Sequence, residues 1–138
     1  MSEANKALVL RFYAELVGPG VEAMIDELLD VDVVEHEPLP PGVPPGREGL
    51  KVFIGMMLRA FPDLQFEVGA MIAEGDLVAA RVTLTGTHEG EFMGIASTGK
   101  SIAVDVMDFL RVENGKLVEH WGVTDQMGMM QQLGVMPE

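Results

Sequence analysis

Apolar residues in the amino-terminal part of the chain recur with a helical period. Between Glu3 and Val17, Leu8, Phe12 and Leu16 return every fourth residue, with Val9 and Tyr13 on the neighbouring row, so one side of a helix is apolar. Gly18-Pro19-Gly20 ends it. Val21, Met24, Ile25 and Leu28 predict a short second helix. Arg47 to Phe61 predicts a third, with Leu50, Phe53, Met57 and Phe61 on one side and a stop at Pro62. VDVVEHEPLPPGVPPG lies between the second and third helices: a short extended piece, then a loop stiffened by its prolines.

From Leu64 the period falls to two and β-branched residues become common. Residues 64–73, 77–88, 101–112 and 116–125 predict long strands, and Asn114-Gly115 between the last two is a strong hairpin signal. Helices followed by an antiparallel meander predict one α+β domain spanning residues 1–138, with three amino-terminal helices packed on a strongly curved antiparallel sheet. Such a cone is expected to enclose a pocket between the inner face of the sheet and the first and third helices.

Composition narrows the function. The chain has 138 residues, no cysteine, 48% apolar residues and a formal charge of −13. It can bury a core, and it lacks disulfides and thiolate nucleophiles. So much negative charge disfavours nucleic acid and anionic membrane surfaces as partners. With no export signal and no long apolar run, a soluble cytoplasmic protein is expected.

The hairpin turn supplies a register. A two-residue turn at Asn114-Gly115 opposes Asp108 to Trp121, Val106 to Val123 and Val104 to Asp125, so all six share one face. Two carboxylates among apolar neighbours need a reason, because burial penalises their charge. The alternative puts Asp108 at the sheet rim, hydrated or paired with Arg111 or Arg81. A slip of one residue would instead place Asp105, His120 and Thr124 inside. His88 continues the inward row of the second long strand, His36 shares a face with Val34 at the mouth of the proline loop, and Tyr13 borders the buried stripe. Each is either a satisfied structural group or a donor to a carbonyl oxygen. The phosphate-loop and nucleophile-elbow spacings are missing, and the three histidines show no metal-ligand spacing, so no metal is expected. The methionine-rich tail DQMGMMQQLGVMPE is too apolar for water and is expected to close the pocket or to pack on a second subunit.

The run VDVMDFLRVENGKLVEHWGVTDQMGMMQQLG, preceded by GTHEGEFMGIASTGK, REGLKVF and RFYAELV, resembles the SnoaL-like polyketide cyclases of the NTF2-like superfamily over nearly the whole chain. The resemblance implies an NTF2-like cone, a homo-oligomer and no cofactor. It also implies that Asp125 is the general acid/base of an intramolecular aldol closure, with Asp108, Val106 and His36 at the other polar pocket positions of the family. Tyr13 and Asp108 are similar to the oxyanion pair of ketosteroid isomerase, with His36 where that enzyme has its base. The implied chemistry is removal of a proton α to a carbonyl of a small apolar substrate. Asp125, Asp108 and His36 would be catalytic, and Tyr13, Phe53, Met57, His88, Val104, Val106, Trp121 and Val123 would hold the skeleton. A non-catalytic lipophilic ligand-binding protein is the alternative, and a limonene-epoxide-hydrolase-like enzyme a third.

Overall fold

A computed structural model describes residues 2–136. Its elements are α1 (Ser2–Glu15), α2 (Val21–Leu28), β1 (Leu29–Glu35), α3 (Gly46–Ala60), β2 (Gln65–Glu74), β3 (Leu77–Thr87), β4 (Ser101–Glu113), β5 (Lys116–Thr124) and α4 (Gln126–Gln132). The five strands form one sheet in the order β1-β5-β4-β3-β2. Four pair antiparallel, whereas β1 runs parallel to β5 at the edge, so the sheet is mixed rather than wholly antiparallel. The fourth helix lies at the other end of the chain from the three that periodicity predicted.

The predicted stripes become the core. Val9, Phe12 and Tyr13 of α1, Met24 and Ile25 of α2, and Ile54 and Met57 of α3 are buried against Val78, Val82, Val104, Val106 and Leu110 of the sheet. The tail packs on β4: Met129 and Leu133 are buried, and the Gln132 side chain bonds both backbone groups of Ala103, accepting at 2.7 Å and donating at 3.0 Å. No helix among the described residues is long and apolar enough to cross a membrane.

Asn114 and Gly115 both have positive φ, 53° and 74°, as a type I′ turn requires, and Glu113 faces Lys116 as expected. Three residues on, the pairing changes. Leu117 opposes Val112 but Glu119 opposes Arg111, so Val118 is an extra residue, a β-bulge. Beyond it Asp108 opposes Gly122 and Phe109 opposes Trp121. The bulge reverses the parity of β5 while leaving that of β4 intact. The six-residue face predicted above is therefore corrected: Val104, Val106 and Asp108 do face inward, but Trp121 and Val123 face outward, with Val123 71% exposed. His120 and Thr124 turn inward in their place, while Asp105 stays outside and exposed.

The outer face carries apolar residues as well as charged ones. Val34, Ile72, Met107, Phe109 and Val123 are exposed, and Trp121 is half-buried beneath the stacked ring of His36.

Candidate functional site

Three strands and a helix bring five titratable side chains together. Tyr13, on the sheet-facing side of α1, donates its hydroxyl proton to Asp108 Oδ2. His120 Nε2 donates to Asp108 Oδ1 at 2.8 Å, and His120 Nδ1 donates to Glu35 Oε2 at 2.6 Å. Glu35 follows Val33 on the inward face of β1, and its position opposite His120 comes from the parallel pairing. Glu37, two residues on, accepts from Thr124 Oγ1 at 3.0 Å. Asp108 is only 8% exposed and Tyr13 only 4%.

Burial alone pushes the His120 imidazole down. Its hydrogen bonds to Asp108 and Glu35, and their charges, outweigh that and lift it to about 10. His120 is thus an imidazolium at neutral pH, which is why both its nitrogens donate. Burial lifts the Glu37 carboxyl above the ordinary carboxylate range against the opposing pull of Thr124 and His120. Burial, then the charge of Asp108, raises the Tyr13 phenol and keeps it protonated.

Gly122 makes the arrangement possible. A Cβ there would stand 2.6 Å from Asp108 Oδ1, 2.7 Å from Glu37 Oε1 and 2.8 Å from His120 Cε1. The bare glycine leaves the space into which the three groups converge. One donor each from Glu37, Asp108 and His120 lie within 4.8 Å of one another, a set with the chemistry of a divalent-cation site. Both ring nitrogens of His120 carry protons that carboxylates accept, so a cation would have to displace one.

An open groove of about 590 Å³ runs beside the cluster, lined by residues 31–39 of β1 and its extension and by 43–46 of the proline loop. Its volume suits a small organic molecule. It lies at the edge of the sheet, not between α1 and α3 as expected, because side chains fill that interior. Met57, Val104 and Val106 are buried core residues, and Phe53 packs against them from a half-buried position. None of these four lines the groove.

The remaining predicted residues lie apart. The Asp125 side chain caps α4, accepting from the Gly128 N–H at 2.9 Å, and is exposed outside the cluster. This placement follows from the reversed parity of β5 and corrects its expected position beside Asp108. His36 lines the groove but is no member of the cluster: its ring turns to the outer face, where it stacks on Trp121 at 4.8 Å and pairs with Glu119 at 2.6 Å. His88 is fully buried against Phe61, its Nδ1 accepting from the Thr98 N–H at 3.2 Å, and locks the loop before β4. Glu35, Glu37 and His120 had no assigned role in the expected site. The signal for the two acids was present in VDVVEHEP: strict alternation from Val33 carries both to its face.

Comparison with known proteins follows the same architecture. The family model of the SnoaL-like polyketide cyclases matches residues 7–133. The chain is 26% identical to the aklanonic acid methyl ester cyclase DauD of Streptomyces sp. (strain C5), over 82% of this chain and 68% of that one. It is 24% identical to the nogalonic acid methyl ester cyclase of Streptomyces nogalater, over 80% of this chain and 83% of that one. Among solved structures, TsrD from Streptomyces laurentii superposes with a TM-score of 0.87 at 25% identity, covering 99% of each chain.

Proposed function

Because the chain belongs to the SnoaL-like polyketide cyclase family, we propose that it is a cofactor-independent enzyme that removes a proton α to a carbonyl in a small, flat, apolar ester. The resulting enolate closes a ring by intramolecular aldol addition or returns the proton after double-bond migration. The observation that carries this reading is the enclosed acid–base cluster beside a groove of ligand size. Two relatives named as methyl ester cyclases support the substrate class.

The chemistry divides between the two kinds of group. A carboxylate of the cluster takes the proton, because a partly desolvated carboxylate is a stronger base than one in water. The His120 imidazolium supplies positive charge beside it, where negative charge develops on the enolate oxygen. The acid/base role falls to this cluster and not to Asp125, whose carboxylate is engaged as a helix cap.

The test uses ethyl 2-naphthoylacetate, a flat aromatic β-keto ester, in heavy water. Proton NMR should show saturable loss of the α-proton signal above the buffer rate. Binding of the probe with exchange at the buffer rate would favour the non-catalytic ligand-binding reading instead.

A second copy is the proposed partner of the outer sheet face. Its exposed Phe109, Met107 and Val123 form a patch of the kind that marks an interface. Sedimentation should give a dimer or larger species that Phe109→Glu converts to monomer. A wild-type monomer would contradict it.

A further inference from the structure

The groove and the buried cluster share only Glu35 and Glu37. Tyr13, Asp108 and His120 stand behind them and line no part of the groove. Of the three carboxylates, Asp108 has both oxygens engaged, one by Tyr13 and one by His120. Glu35 Oε2 accepts from His120 at 2.6 Å and also from the Glu37 N–H at 3.0 Å. Glu37 is held differently. Its Oε2 is fixed by Thr124, while Oε1 accepts no hydrogen bond among the described residues and lies at the empty side of Gly122. One oxygen is anchored, and the other is free and faces the charged pair.

We propose that Glu37 is the general base of the carbon-acid step, a role that rests on the reading above. Glu37 Oε1 takes the α-proton and becomes a carboxylic acid. The C–H electron pair moves into the new C–C double bond, and the carbonyl becomes an enolate whose charge lies in the field of the His120 imidazolium behind the glutamates. The enolate carbon then attacks a second carbonyl of the same molecule, forming the ring bond, and the alkoxide produced recovers the proton from Glu37. No oxidant or co-reactant is needed, and the carboxylate is restored.

The raised affinity of Glu37 for a proton suits this task, since a base works best when its pKa approaches the operating pH. Burial, helped by the charges of Asp108 and Glu35, supplies that tuning against the pull of Thr124 and His120. The groove positions the substrate: its wall of Leu39, Val43 and Pro44 is apolar, and Glu37 both lines it and belongs to the cluster.

Exchange of ethyl 2-naphthoylacetate in heavy water tests the role in Glu37→Gln, with probe binding followed by saturation-transfer NMR. The expected result is retained binding and an exchange rate lower by about 100- to 10,000-fold, the usual contribution of a general base. In Glu37→Ala, added acetate should restore exchange in proportion to its concentration, a response that loss of a merely structural group would not give. Wild-type exchange that persists in Glu37→Gln overturns the assignment of Glu37 and leaves the carbon-acid reading standing. Wild-type exchange at the buffer rate overturns both.

Discussion

Asp108→Asn is expected to lose both stability and turnover. Tyr13 and His120 each donate to a different oxygen of Asp108, which is only 8% exposed. An amide of the same shape accepts at one atom and presents its own N–H at the other, so one buried donor faces a donor and the imidazolium loses half of its countercharge. Breaking such a pair costs on the order of 2–4 kcal/mol. The pH dependence should change with it. His120 is raised from 6.5 to about 10 in the folded chain, so its contribution to stability is complete below pH 6.5 and is lost as pH rises through about 10. Wild-type stability should therefore fall across that interval. With the larger of its two hydrogen-bonding partners removed, His120 moves down, and the fall still begins near 6.5 but becomes smaller and ends at a lower pH. Urea denaturation at several pH values checks both points, and a variant with the wild-type midpoint and pH slope would contradict the network.

Gly122→Ala is expected to separate chemistry from stability. The added methyl meets Asp108 Oδ1, Glu37 Oε1 and the His120 ring inside 3 Å. Asp108 and His120 are held at both of their polar atoms, whereas the Glu37 carboxylate can swing away, so the cost to folding should be about 1–3 kcal/mol. The Glu37 carboxylate is the least restrained of them, with one side-chain hydrogen bond, and it should leave for the groove. A displaced base of this kind lowers turnover by about 100-fold even when substrate still binds. Thermal melts and exchange rates on the same sample test the pair of effects; a variant that melts like wild type and exchanges as fast would show that the space at Gly122 has no catalytic use.

The two variants probe opposite sides of one design. Asp108 is the buried anchor that fixes Tyr13 and His120, and Gly122 is the gap that lets Glu37 reach them. Both depend on β5 turning His120 inward.

The helices were legible because their apolar stripes coincide with their buried faces, as at Val9, Phe12 and Tyr13. Asn114-Gly115 was legible because its dipeptide demands left-handed φ at both positions. Asp108 was correctly placed inward because β4 is regular along its whole length. The far strand was not legible beyond Val118. A bulge depends on how the strand sits against its neighbours on both edges, and adjacent Leu117 and Val118 give no sign of which one yields. Trp121, Val123 and Asp125 consequently exchanged faces with His120, Gly122 and Thr124. The two glutamates were hidden for a different reason. In VVEHEP the histidine looks like the functional group and Val34 its companion, yet of the two valines Val33 is the buried one and Glu35 and Glu37 follow it. Acids on an inward face contradict simple hydrophobic patterning and become intelligible only when His120 stands opposite them.

Crystals grown with ethyl 2-naphthoylacetate offer the most direct check on the central claim that acid and groove form one working site. The account predicts the naphthyl ring along Leu39 and Val43, with the α-carbon in contact with the Glu37 carboxylate. A probe seated on Trp121 at the outer face, or bound with its α-carbon away from every carboxylate of the cluster, would contradict it.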